Sequence, residues 1–467
     1  MYCVNALAST MEKIKKKMSG FIAGLNPKNI IGHSEATVHA ALVEDKELGN
    51  IKYHLRISPD GQGTLSINGE KVIYLNQTAA DLVRLFIEKV PDDEVGRFMA
   101  SKYEVPPDEV LQDYANIKST IDTIIHQRDV CPVVFQGVTP EVAMKSRGAP
   151  ARVDLALTYR CNNACGHCYV ARGKSFPEMN TDSWKRVIQK LRDIGVPHVT
   201  LTGGEATLRD DLADIIQCTQ DNNIICGLVT NGIKLADNDF LMKLVNAGLD
   251  YIQITLESHD PAIHNKMVGA DTWAQTVQGL KNAIATDVYT ITNTTLCALN
   301  APTIEKTIDF LAEIGLEGTF ACNGIIYSGK GKEVGNGIPE AELEPLLDRI
   351  MAKAREHGFK FIWYSPTQYC EYNPVIHGLG PKRCSAADIS MAIEPNGDVL
   401  PCQSYFEPLG NILKDSWGKI WNHRLAKRIR NRDNVQEKCR SCDQLDTCGG
   451  GCPLYVEHQG TICRSND

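Results

Sequence analysis

Between residues 50 and 127 the apolar positions first alternate and then take a helical period. Alternation runs through 52–57 (Lys-Tyr-His-Leu-Arg-Ile), 64–67 and 72–75. Pro59-Asp60-Gly61 and Asn68-Gly69 stand between these runs as turn signals, so the segment predicts a three-stranded meander. Helical periods follow over 79–88, 92–102 and 108–125, each after a polar or proline start signal. The pattern is that of a winged-helix-like α+β domain over 50–127. Residues 128–150, rich in Pro, Gly and small side chains, read as a linker.

From 151 to 365 the pattern switches to regular alternation of strand and helix. Strands are expected at 153–158, 198–202, 225–230, 251–256, 290–296 and 318–322. Helices are expected at 182–194, 212–222, 240–247 and 303–314. Six such repeats imply an α/β fold, a parallel sheet with right-handed crossovers. They form a partial (β/α)6 barrel of the TIM type, too short to close a standard eight-unit one. Functional groups belong at the C-terminal ends of such strands. Residues 366–467 lose periodicity but hold eight cysteines, from Cys370 to Cys463, so metal rather than a large apolar core organises them. Residues 1–49 read as an N-terminal extension, with a lysine-rich solvated helix over 11–25.

Composition narrows the class. The net charge of −8 over 467 residues argues against nucleic acid as the main partner. No apolar run approaches the ~18–20 residues of a membrane span, and the N-terminal residues show no signal-peptide apolar stretch with a small-residue cleavage site. Seventeen cysteines in such a chain point to metal ligation in a reducing compartment, with the cytoplasm as the expected location.

The first expected barrel strand ends in Thr158-Tyr159-Arg160-Cys161-Asn162-Asn163-Ala164-Cys165-Gly166-His167-Cys168-Tyr169. Three thiolates at this spacing, Cys161, Cys165 and Cys168, can hold three corners of a 4Fe–4S cube and leave one iron open. A zinc site is the alternative, and it needs a fourth ligand such as His167. The C-x3-C-x2-C run resembles the signature of the radical S-adenosylmethionine (SAM) superfamily, with His167 in its aromatic place. The resemblance extends to Gly203-Gly204-Glu205 at the second strand end, similar to the family's GGE motif. It implies that these three residues, with Asn231, Glu257 and Ser258 at the next strand ends, contact SAM; Asn300 is a weaker candidate. It also implies reductive cleavage of SAM to a 5′-deoxyadenosyl radical that abstracts hydrogen from substrate.

The later cysteines run Cys384-x12-Gly397-x4-Cys402, then Cys439-x2-Cys442-x5-Cys448-x3-Cys452, then Cys463. This resembles the SPASM extension of radical enzymes that modify peptides and proteins, with all seven motif cysteines present. The resemblance implies two auxiliary 4Fe–4S clusters, three clusters in all. Cys384, Cys402 and Cys452 would serve one, with Cys370 as the candidate fourth ligand; Cys439, Cys442, Cys448 and Cys463 would serve the other. Two zinc knuckles are the competing reading. Cys322, at a strand end, and Tyr327, Trp363, Tyr364 and Gln368 are candidates for the pocket.

Residues 72–82 (Val-Ile-Tyr-Leu-Asn-Gln-Thr-Ala-Ala-Asp-Leu), with Tyr103-Glu104-Val105-Pro106 and 110–113, resemble the peptide chaperone of pyrroloquinoline quinone synthesis (PqqD-like domains). Such domains imply recognition of a leader peptide by strand addition to a sheet edge, which raises the peptide's effective concentration at the barrel. The combined reading is a maturase of ribosomally made peptides, producing a crosslink, an epimer or a decarboxylated residue. Its partners would be a precursor peptide and an electron donor such as flavodoxin or ferredoxin. Two other readings stand beside it. One is an enzyme acting on a folded protein, as in sulfatase maturation, or on a tetrapyrrole or other cofactor precursor. The other is a non-catalytic iron–sulfur electron carrier or peptide scaffold.

Overall fold

The computed structural model describes residues 36–45, 49–68, 71–126, 133–136, 148–433 and 435–459. The expected helix over 11–25, most of the 128–150 linker and Cys463 lie outside them. The described residues form two compact units, the first up to Ala149 together with Gln189–Pro197 and Asn222–Ile225, the second made of the remaining residues from Pro150 onward.

The first unit runs β1 (Thr37–Asp45), β2 (Gly49–Ile57), β3 (Gly63–Ile67), β4 (Lys71–Leu75), α1 (Gln77–Ile87), α2 (Asp92–Tyr103), α3 (Pro107–His126) and β5 (Val133–Gln136). The meander expected from the sequence is β2–β3–β4. It is antiparallel, with Tyr53 opposite Ile67 and Leu65 opposite Ile73. The turn after β2 closes as the Gly61 N–H donates to the Ser58 carbonyl at 2.8 Å, with Gly61 at φ +82°. Two strands extend the sheet beyond that reading. β1 pairs antiparallel with β2, and β5, inside the expected linker, pairs parallel with β4. α1 starts where the Asn76 side chain accepts from the Ala79 N–H at 2.9 Å, an N-cap that satisfies an orphan donor. The core beneath the sheet is Leu55, Leu65, Ile73, Leu75, Leu82, Val83 and Val95, with Ile117 and Ile121 of α3.

The second unit runs β6 (Arg152–Thr158), α4 (Thr181–Ile194), β7 (His198–Gly203), α5 (Leu212–Asp221), β8 (Ile225–Thr230), α6 (Asn238–Asn246), β9 (Tyr251–Thr255), α7 (Pro261–Val268), α8 (Trp273–Ile284), β10 (Tyr289–Leu296), α9 (Ile304–Glu313), β11 (Thr319–Gly324), α10 (Leu343–Glu356) and β12 (Lys360–Trp363). After these come β13 (Ser390–Ile393), β14 (Asp398–Leu400), β15 (Gly410–Asn411) and four short helices, α11 (Trp417–Trp421), α12 (Arg424–Arg430), α13 (Leu445–Cys448) and α14 (Pro453–Gln459). The sheet order is β12-β11-β10-β9-β8-β7-β6-β13-β14-β15. The six expected strands are β6 to β11, and β12 adds a parallel neighbour to β11. This is an open α/β barrel. β6, β7, β8 and β11 are buried along most of their length, as parallel strands under crossover helices are, while β9 alternates between buried and half-buried positions.

β13 lies parallel to β6, with Ile393 beside Leu155. Two parallel neighbours end on the same side of a sheet, so the loop after β13 meets the loop after β6. That pairing places part of the cysteine-rich C-terminal segment beside the first cysteine triad. Among the described residues no helix is long and apolar enough to cross a membrane.

Candidate functional site

Cys161, Cys165 and Cys168 all sit in the loop after β6, half-buried. The loop is pinned by its backbone. The Ala164 N–H donates to Val268 O at 2.9 Å and the Gly166 N–H to Met267 O at 3.1 Å. Lys174 Nζ donates to the carbonyls of Cys161 and Asn163 at 2.7 and 3.2 Å. The end of β7 closes against the same loop. Gly203 has φ +136°, and a Cβ there would lie 2.1 Å from Thr158 O; at Gly204 it would lie 2.4 Å from Arg160 O. Only glycine permits this approach. The two glycines therefore serve first to seat the triad loop against β7.

Glu205 is buried, and its carboxylate ties three segments together. Oε1 accepts from the Thr207 N–H and hydroxyl at 3.1 and 2.7 Å and from the Thr230 hydroxyl at 2.7 Å. Oε2 accepts from the Asn231 N–H at 2.8 Å. Asn231 then donates through Nδ2 to Asn162 Oδ1 at 2.7 Å, which reaches the triad loop.

Glu257 and Ser258, the next two candidates for cofactor contacts, are as deeply buried as Glu205. Glu257 Oε2 accepts from the Thr295 N–H at 2.8 Å, and Oε1 lies 2.9 Å from His167 Nε2. The Ser258 hydroxyl accepts from the Asp260 N–H at 3.1 Å, and its carbonyl accepts from Trp273 Nε1 at 3.1 Å. Strand-end polarity identified these positions, but burial makes them braces. Asn300 is likewise buried, its Nδ2 donating to the carbonyls of Glu257 and Thr295, both at 2.9 Å.

Burial pushes the Cys161 thiol up, opposed by the Asn163 N–H and Lys174. Burial, Glu257 and the two neighbouring thiols push Cys165 up further. Bound iron would reverse this, since a coordinating thiol is deprotonated by the metal. The described cysteines are not gathered as a zinc site would gather them. A tetrahedral zinc site sets its sulfurs roughly 3.8 Å apart, and among the described residues no three cysteine sulfurs lie within 4.8 Å of one another. His167, the possible fourth zinc ligand, faces Glu257 instead.

In the C-terminal segment, burial and the charge of Cys384 raise both Cys402 and Cys452, the latter to about 12. These three sulfurs thus share one neighbourhood. Cys439 is raised by burial and by Cys448 and Cys442, which marks a second. Cys370, the candidate fourth ligand, carries a disulfide in this structure.

The other pocket candidates divide. Cys322 and Trp363 are buried in β11 and β12. Tyr327 stacks on His458 with centroids 4.3 Å apart. Gln368 is buried, and its N–H donates to Glu340 Oε2 at 2.7 Å. Tyr364 is exposed and donates to Gln253 Oε1 at 3.2 Å. Residues the sequence reading missed bind the triad loop to the C-terminal segment. Arg172 makes a two-pronged pair with buried Glu394, Nε to Oε1 at 2.8 Å and Nη2 to Oε2 at 3.1 Å. Tyr159 donates to the same Oε1 at 3.1 Å, and Tyr169 donates to Gln403 Oε1 at 3.0 Å.

Comparison with known proteins agrees with this geometry. The radical SAM superfamily matches residues 155–311, and the SPASM iron–sulfur cluster-binding domain matches residues 384–443. The PqqA peptide cyclase of Rhizobium meliloti (strain 1021) is 27% identical over 322 residues, 65% of this chain and 82% of that protein. Streptococcus suis SuiB bound to precursor peptide SuiA superposes with a TM-score of 0.64 at 17% identity, covering 90% of this chain and 96% of that one. The anSMEcpe structure with bound AdoMet and Kp18Cys peptide gives 0.52 at 19% identity, over 65% of this chain and 89% of that one. These structural likenesses carry the fold. The chain therefore carries a radical SAM superfamily domain at residues 155–311 and a SPASM iron–sulfur cluster-binding domain at residues 384–443.

Proposed function

We propose that the chain matures a ribosomally made precursor peptide, abstracting hydrogen from a core residue while the leader is held elsewhere on the protein. The observation that carries this reading is the joining of both cysteine sites to one loop. Beside it stand the likeness to a peptide cyclase at 27% identity and the likeness in fold to SuiB, whose structure holds its precursor peptide.

Cys161, Cys165 and Cys168 would hold a 4Fe–4S cluster with one iron open to SAM. When bound and reduced, that group supplies the 5′-deoxyadenosyl radical. The chain's own residues position it. Glu205 Oε1 is saturated by three donors, while Oε2 takes one and keeps a lone pair for the methionine ammonium. Asn231 Nδ2 uses one hydrogen on Asn162 and keeps one for the ribose. Gly203 and Gly204 keep the floor of the site free of side chains.

Cys384, Cys402 and Cys452 would hold one auxiliary cluster, joined by Cys370 once its disulfide is reduced. Cys439, Cys442, Cys448 and Cys463 would hold the other. Cluster thiolates favour a reducing compartment such as the cytoplasm, where a flavodoxin or ferredoxin can deliver the electron.

The PqqD-like first unit would bind the leader. β1 and β5 are the two edges of the described sheet, and β1, with nine residues against four, offers the longer one. A cleft of about 460 Å³ lies beside it, floored by Val43, Ile51, Ile121 and Ile125 and flanked by Phe86 and Lys118. Strand addition at β1 with an apolar side chain in the cleft suits an extended peptide.

Anaerobic incubation with reductant, SAM and the precursor peptide encoded beside the gene should yield 5′-deoxyadenosine and a mass change in the peptide. Deleting residues 1–145 should leave SAM cleavage and abolish peptide modification. Full peptide turnover by the truncated chain would reject the leader reading. Iron and sulfide analysis should give about twelve irons per chain for three clusters.

A further inference from the structure

Tyr169 directly follows Cys168, and Gln403 directly follows Cys402. The Tyr169 hydroxyl donates to Gln403 Oε1 at 3.0 Å. The charges of Cys168 and Cys402 both act on this phenol, so it lies between cysteines of two different sites. From Cys168 to Cys402 the path runs through covalent bonds and this hydrogen bond. The contact is held in register from its flank. Arg172 is locked to Glu394 and lies over the Phe406 ring at 5.0 Å, and Tyr159 donates to the same carboxylate.

We propose that Tyr169 and Gln403 form the electron link between the site at Cys161, Cys165 and Cys168 and the site at Cys384, Cys402 and Cys452. This rests on the reading that both sites hold iron–sulfur clusters. One electron moves. The donor cluster is oxidised by one, the acceptor is reduced by one, no bond forms or breaks, and the phenol proton stays on Tyr169. Electron tunnelling decays less steeply through bonds than through empty space. A hydrogen-bonded chain in a low-dielectric setting is also polarised along its length. The same bond bears on the relative potentials, which burial and nearby hydrogen bonds tune.

The test uses the full chain with clusters reconstituted. Iron, sulfide and EPR spectra establish first that both sites are loaded. The triad signal is told apart by its change on adding SAM. If no second cluster signal forms, the cluster reading fails, and the link fails with it. With both loaded, flash photoreduction followed by freeze-quench EPR times the sharing of one electron between the two signals. Tyr169→Phe keeps the ring and removes the hydroxyl, Gln403→Leu removes the acceptor, and Gln403→Glu keeps one. We expect a several-fold slower exchange in the first two at unchanged iron content, and a near-parent rate in the third. The double variant Tyr169→Phe, Gln403→Leu should be no slower than either single one, as partners in one interaction require. A parent rate in Tyr169→Phe with both clusters intact, or slowing that adds in the double variant, would overturn the link.

Discussion

His167 Nε2 lies 2.9 Å from Glu257 Oε1, joining the triad loop to the end of β9. Oε1 is buried without a well-aligned hydrogen bond, so its contact with the imidazole is an ion pair. Burial pulls the His167 pKa down, but the charge of Glu257 and its hydrogen bond outweigh that and hold it above the ordinary value. Breaking a buried pair by deleting one member leaves the other uncompensated, at about 3–5 kcal/mol. Glu257→Ala should show such a loss in denaturant unfolding and release iron from the triad. Glu257→Gln keeps an acceptor for the Thr295 N–H and should lose less. Parent stability in Glu257→Ala would mean the pair does not hold the loop.

Glu394 supports the other side of the loop. It is buried, it receives both prongs of Arg172, and it accepts from Tyr159. Arg172→Lys keeps the charge but not the planar fork, so it should recover only part of the stability that Arg172→Ala loses. Because the pair joins the loops after β6 and β13, both variants should lower iron retention at the triad and at the auxiliary sites together. Loss confined to one site would show that the two loops fold independently.

Much of this was legible in the sequence because parallel strands under crossover helices leave long local signatures. β8 spans residues 225–230 as expected, and β6, β7, β9, β10 and β11 differ by one or two residues at their ends. β12 has four residues, too few for a pattern to emerge. β1 carries Ala40-Ala41-Leu42-Val43, an apolar run without alternation, and its partner in β2 is what makes it a strand. The cysteine sets were visible because ligand spacing is local. Arg172–Glu394 and Tyr169–Gln403 span 222 and 234 residues, so only the neighbouring β6 and β13 bring them together. Glu257 was found as a strand-end acid, but nothing local told that it is buried.

His198 gives a pH dependence. It begins β7, and its Nε2 lies 2.8 Å from the Tyr251 hydroxyl. Burial, with a smaller effect of Arg152, lowers its pKa from 6.5 to about 3. The folded chain therefore keeps it neutral where the unfolded chain takes up a proton. Stability is unaffected above about pH 6.5 and falls between there and about pH 3, by roughly 1.4 kcal/mol per pH unit. Denaturant unfolding at about pH 8 and about pH 5.5 should show a smaller acid loss in His198→Gln than in the parent. Equal losses would mean that His198 is protonated in the folded barrel.

Gly204 tests whether the GGE segment seats the triad loop or only meets the cofactor. A Cβ there would stand 2.4 Å from Arg160 O and 2.7 Å from Tyr159 O, contacts with backbone that no side-chain rotation relieves. Gly204→Ala must push β7 from the loop, at a cost of about 1–3 kcal/mol. Cys165→Ala removes a ligand and leaves the backbone in place. Both variants should lose SAM cleavage and the SAM-dependent change in the triad EPR signal, while auxiliary iron stays. They should differ in stability, with Gly204→Ala unfolding at lower denaturant even without iron. If Gly204→Ala matches the parent in iron-free stability, the loop has room for the methyl group and the glycine is kept for the cofactor alone.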